Sequence, residues 1–253
     1  MVDEQILVRL LAALVEGDRA GSRQVVEEVL QRGVPVQNVY RSLIWPMLNT
    51  IDRLMQQERI SPVQEHMATR TLRQIVDQLQ NKLPRRPRTG RKVVICCGDQ
   101  QSQELGAQLM ADVFESDGWD VRLLGGGLSN DDILGFVHEY APDLLLICGI
   151  RGKNAPQVRQ LIDTIRAVNA WPNMKIMLSG GVFARAEGLW EEIGADAYAA
   201  DPHEAVAIAS GRQPMPVAIE RTINRRRKKK PSIQVTFQSQ RRPLKLSAIT
   251  FAE

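Results

Sequence analysis

Long apolar runs are missing from this 253-residue chain: no stretch approaches the ~20 consecutive apolar residues that a membrane-spanning helix needs. Its opening residues, MVDEQILVRLLAALVEGD, are acidic and lack a basic segment followed by a cleavage site. That excludes a secretory leader as a reading and predicts a cytoplasmic protein. Cysteine is scarce, and Cys96, Cys97 and Cys148 all fall in expected strands. They read as small buried apolar residues, not as disulfide partners or metal ligands. Histidine is as scarce: His66, His138 and His203 share no metal-ligand spacing. No nucleophile stands beside a base. No helix-turn-helix or zinc-finger pattern is visible either. These absences predict a protein without catalysis of its own and without direct sequence-specific DNA recognition.

Charge is present but unevenly placed. Residues 221–253 hold ten Lys/Arg and one acid, a net +9, while the preceding 220 hold 23 Lys/Arg and 28 acids, a net −5. The basic character therefore belongs to the tail. At its centre lies the unbroken run Arg225-Arg226-Arg227-Lys228-Lys229-Lys230. Mutual repulsion predicts a solvated, partly disordered segment that could meet nucleic acid or an acidic protein partner. Residues 233–238, IQVTFQ, alternate as a strand does.

Residues 1–83 carry helical periodicity only. Ile6, Leu7, Leu10, Leu11, Leu14 and Val15 mark one helix, stopped by Gly17. Val25, Val26, Val29 and Leu30 mark a second, stopped by Gly33. A third spans about 36–57, with Pro46 as a candidate kink. Ser61, Pro62 and Gln64 make a start signal for a fourth. Short connections predict a four-helix bundle. Residues 84–92, PRRPRTGRK, read as a linker.

From 93 to 211 strands and helices alternate. Apolar strands are expected at 93–97, 121–124, 144–147, 176–178 and 197–199, with helices near 104–117, 130–140, 156–168, 185–193 and 203–210. This predicts an α/β fold: a flavodoxin-like, five-stranded parallel sheet, followed by a basic tail over 212–253. Ligands in such sheets bind beyond the carboxyl ends of the strands, so residues 99–103, expected as a loop, are the first place to look. Gly125-Gly126-Gly127 and Gly180-Gly181 each read either as a plain turn or as backbone approaching a ligand. Arg151 and Lys153 could meet an anionic group after the third strand.

A bundle, a linker and a flavodoxin-like domain in this order resemble the cobalamin-binding module. That module occurs in methionine synthase, in corrinoid proteins of methyl transfer and in light-responsive repressors. The family's second domain carries DxHxxG, then SxL, then GG. Here Gln101-Ser102-Gln103-Glu104-Leu105-Gly106 is followed by 41 residues, Cys148-Gly149-Ile150, 29 residues and Gly180-Gly181. By this resemblance Gln101, Gln103, Gly106, Cys148, Ile150, Gly180 and Gly181 form the cofactor-binding set. The bundle resembles that of the repressors, in which Trp, nine residues and Glu-His cover the corrin. Here Glu65-His66 match, Met55 stands for the Trp, and Gln56 occupies the neighbouring position that supplies a histidine in some of them. That makes His66 a candidate metal ligand, with a satisfied histidine on a bundle helix as the alternative.

The polar residues depart from the pattern. Gln103 stands for the lower-ligand His, Gln101 for the Asp that orients it, and Cys148 for the Ser that contacts the displaced base. A carboxamide is a far poorer cobalt donor than an imidazole. The resemblance thus implies altered or lost tetrapyrrole ligation: cobalamin without a protein histidine, another tetrapyrrole such as haem, or none. The reading drawn from it is a non-enzymatic regulatory or sensor protein. The alternatives are an interaction scaffold with a nucleic-acid-binding tail, or a corrinoid carrier for a methyltransferase.

Overall fold

A computed structural model describes residues 2–98 and 101–214. The basic run and the alternating segment after it lie outside the described residues. Helices α1 (Glu4–Glu16), α2 (Arg19–Gln31), α3 (Val36–Val39), α4 (Trp45–Gln56) and α5 (Pro62–Gln80) build the bundle. Asp3 caps α1 by accepting from the Ile6 N–H at 2.9 Å. Gly17 ends that helix with φ +78°, a conformation that favours glycine. Ser61 and Gln64 close a reciprocal capping box on α5, with Pro62 behind it.

The expected third helix, with its kink at Pro46, takes another form. Residues 40–44 wind as one π turn between α3 and α4, and the Trp45 N–H reaches back to the Tyr40 carbonyl. Pro46 then sits in the first turn of α4. A proline ring and its missing N–H are awkward inside a continuous α-helix, and the π turn directly upstream is where the irregularity is absorbed.

The linker is docked rather than free. Its Arg86 and Thr89 N–H groups donate to the Ser116 and Gly118 carbonyls at 2.9 and 2.8 Å. Arg86 also pairs with Asp117 at 2.8 Å. Gly118, at φ +90°, is needed for this passage, since a Cβ there would lie 2.2 Å from the Pro87 carbonyl oxygen.

Beyond it come β1 (Lys92–Cys97), α6 (Gln101–Ser116), β2 (Asp120–Gly125), α7 (Asn130–Tyr140), β3 (Leu144–Cys148), α8 (Ala155–Val168), β4 (Lys175–Ser179), α9 (Leu189–Glu192), β5 (Ala197–Ala199) and α10 (Pro202–Ala209). All five strands are parallel, in the order β2-β1-β3-β4-β5. Central β3 is buried throughout, which is why it reads as an unbroken apolar run. Alternate strand residues divide between two cores. Val94, Cys96, Leu145 and Ile147 pack toward the face of α7 and α8. Val93, Ile95, Leu144, Leu146 and Cys148 join α6, α10 and the whole bundle in a single apolar cluster.

Two boundaries differ from expectation. Helix α6 opens at Gln101, so Gln103 lies in a helical first turn and not in a loop. The helix expected near 185–193 shrinks to α9, because Gly188 at φ +76° interrupts the helical path just before it.

Candidate functional site

The C-terminal edge of β3 and β4 faces the bundle across a cavity of about 420 Å³. Helix α4 supplies one wall. Trp45, Leu48, Asn49, Asp52, Met55 and Gln56 recur at three- and four-residue spacing, so they share one helix face and line the cavity together. Glu65 of α5 adds to that wall. The opposite wall comes from Gln103 and Gly106 of α6, from residues 148–152 after β3, and from Ser179, Gly180, Gly181 and Arg185 after β4.

Of the residues expected at a site, Met55, Gln56, Glu65, Gln103, Gly106, Cys148, Ile150, Gly180 and Gly181 meet here. Gln101 is the first residue of α6, and its side chain lies outside what is described. His66 does not line the cavity. Its side chain is 58% exposed, with Nε2 3.7 Å from the Glu65 carboxylate. Gly125 and Gly127 turn the chain out of β2 away from the cavity, and Ser129 caps α7 through Asp132. Sequence reasoning missed Trp45, Asn49, Asp52 and Arg185. The α4 stripe was visible in principle. It shares its helix with the buried set Met47, Ile51 and Leu54, whose stronger apolar signal defines the bundle core instead.

Gln103 is tied down. A Cβ built on Gly98 would fall 2.0 Å from its Oε1, and one on Gly149 would fall 2.9 Å from its Cβ. The side chain thus lies folded across two glycines at the ends of β1 and β3. The two cavity glycines after β4 differ. A Cβ on Gly181 would lie 2.4 Å from the Ile150 carbonyl oxygen, so glycine is required there by backbone packing. At Gly180 nothing comes nearer than 3.9 Å. Only Gly180 leaves open space for a ligand.

The charged groups are sorted by wall. Asp52 and Glu65 stand on the bundle side, Arg151 and Arg185 on the sheet side. Asp52 accepts from the Gln56 amide and pairs with Arg185 at 3.6 Å, the ion pair that crosses the cavity. Burial pushes the Asp52 carboxyl upward, against the pull of Arg185 and Arg151. Burial likewise holds the Cys148 thiol well above its ordinary range, so it is a neutral, inert wall group. Ser179 is fully buried and donates to the Ala199 carbonyl at 2.7 Å. Among the described residues no cluster of His, Cys, Asp or Glu could hold a metal ion.

Comparison with known proteins decides the family. Residues 6–80 and 91–207 match two family models, each described as a B12 binding domain. The chain belongs to the B12-binding family. The dimethylamine corrinoid protein 1 of Methanosarcina acetivorans is 23% identical over 212 residues, which cover 83% of this chain and 98% of that protein. The monomethylamine corrinoid protein 2 of the same organism is 22% identical over 215 residues, with the same coverage. In fold, the B12-binding chain is similar to the Methanosarcina barkeri monomethylamine corrinoid protein, with a TM-score of 0.73 and 19% identity over 84% of this chain and all of that one. These matches overturn the reading of a regulatory sensor. They run along nearly the full length of proteins named for corrinoid and methylamine, and none of those names a regulator.

The family implies a corrinoid, and the cavity of this B12-binding chain fits one in part. Its position between bundle and strand ends, the apolar surface of Trp45 and Leu48 and the open space at Gly180 suit a flat macrocycle with a tail. The lining offers no imidazole, and the Gln103 carboxamide is folded away over Gly98. The residues fit a corrinoid held by its periphery, without a protein nitrogen on the metal.

Proposed function

We propose that this chain is a corrinoid carrier that serves a methyltransferase partner and has no catalysis of its own. The observation that carries the reading is the cavity itself, walled on one side by the bundle and on the other by the loops after β3 and β4. Relatives aligned over nearly their whole length, and named as corrinoid proteins, support it. A bound corrinoid would supply cobalt as the carrier of a transferable methyl group. The chain's part is to hold and shield it. The α4 face covers the cavity with Trp45 and Leu48, and Gly180 leaves room for a substituent. Gln103 would offer a bound cobalt no imidazole donor.

The test is direct. Purified protein mixed with hydroxocobalamin and passed through gel filtration should elute with stoichiometric corrinoid, seen by its visible absorption and by quenching of tryptophan emission. Protein that elutes without corrin absorbance at micromolar concentrations defeats the proposal.

A second expectation follows from the folded-back Gln103. Gln103→Ala should leave corrinoid affinity and spectrum nearly unchanged. Gln103→His combined with Gln101→Asp should shift the spectrum to that of an imidazole-ligated corrinoid, since the backbone at 103 already lines the cavity. Binding abolished by Gln103→Ala would show that the carboxamide is a ligand after all.

A further inference from the structure

The two walls of the cavity carry opposite charge, and the Asp52–Arg185 ion pair joins them. Asp52 and Glu65 lie on helices α4 and α5. Arg151 and Arg185 lie on the loops that follow β3 and β4 and line the same cavity as Gly180. Glu65 lines the cavity, accepts from the Thr69 hydroxyl at 3.2 Å and faces His66 at 3.7 Å. Asp52 is held by Gln56 and Arg185, and the Arg151 charge also acts on it. Among the described lining residues the four formal charges cancel, yet each wall taken alone carries two of one sign.

A site sorted in this way selects an occupant that is itself sorted. A complete corrinoid is such a molecule: its cobalt–corrin centre is cationic and its nucleotide tail carries an anionic phosphodiester. On the carrier reading given above, we infer that Arg151 and Arg185 recognise the phosphate of the corrinoid tail, while Asp52 and Glu65 face the cationic macrocycle. The chain thereby discriminates complete corrinoids from those that lack the tail phosphate. Guanidinium groups suit this task because they present several donors to phosphate oxygens. The Asp52–Arg185 pair occupies the arginine until the phosphate replaces the carboxylate, so the empty site does not leave like charges facing one another without neutralisation.

Three probes separate the terms: cobinamide, which has no tail phosphate; cobinamide phosphate, which has the phosphate without the base; and cobalamin. Equilibrium dialysis with the full chain should give at least about tenfold tighter binding of both phosphate-bearing probes than of cobinamide. Arg151→Gln with Arg185→Gln should compress that ratio to about twofold. Asp52→Asn should move the ratio the other way, strengthening cobinamide phosphate and weakening cobinamide, because it removes the carboxylate that competes for Arg185. Its opposite sign guards against a mere folding defect in the arginine variant. A ratio near one in the wild type, or a ratio that survives the double arginine change, overturns this inference while the carrier reading stands. Failure of all three probes to bind overturns both.

Discussion

Asp112→Asn should raise the melting temperature by roughly 5–10 °C at pH 8 and change it little at pH 4. Asp112 of α6 is 3% exposed and lies at the contact with the bundle, where its Oδ2 accepts from the Tyr40 hydroxyl at 2.8 Å. Burial pushes its carboxyl up to about 7, against the hydrogen bond from Tyr40, while Glu115 and Asp77 push the same way as burial. Burial and the Asp112 charge also hold the Tyr40 hydroxyl far above its usual range, so Tyr40 stays a neutral donor. The unfolded chain releases the Asp112 proton near pH 4, and the folded chain keeps it to about pH 7. Between those values the folded state holds the Asp112 proton and the unfolded one does not, so the contribution of Asp112 to stability falls as pH rises, by at most on the order of 4 kcal/mol. Asparagine accepts the Tyr40 bond without ionising and escapes that loss. Thermal melts of both proteins from pH 4 to pH 8 should diverge with rising pH. Parallel curves would show that Asp112 does not titrate in this window.

The second large effect belongs to the glycine pair after β4. Gly181→Ala should destabilise the protein by on the order of 3 kcal/mol or more, because the added methyl must enter backbone already in contact and the residue sits at positive φ. Gly180→Ala shares the positive φ but meets only open space, so its cost should stay near ~1 kcal/mol. It should act on ligand binding instead, by filling the side of the cavity left for a substituent. Urea unfolding of both variants separates the two roles. Equal losses of stability would mean that the loop relaxes around either methyl.

Much of this architecture was legible because its signals are local. Ser61 announces a helix start through a side chain that reaches its own backbone. The strands announce themselves as short apolar runs between polar loops. The spacing from Gly106 to Cys148 and on to Gly180-Gly181 carried the family. What escaped depends on contacts between distant residues. The π turn before Pro46 is a compromise among neighbours on the same helix and has no composition of its own. The docking of Arg86 and Thr89 on the end of α6 turns a proline- and arginine-rich stretch, which reads as a tether, into a fixed strap. Arg185 and Asp52 are 133 positions apart, and nothing in either neighbourhood shows that they share a cavity. The function misled for a related reason. The missing histidine at 103 was visible and was read as loss of carrier chemistry, whereas the similarity of the whole chain to corrinoid proteins weighs more than one donor.

The family models divide the chain between residues 80 and 91, but its apolar interior ignores that seam. Leu10, Tyr40 and Leu72 of the bundle lie in the same cluster as Phe114 of α6 and Ile95 of β1. Cooperativity follows the interior and not the map of models. Lifting the helices wholesale off the sheet would wet part of that shared apolar cluster, at a cost that grows with the area exposed. Heat should therefore melt helices and sheet together in one transition.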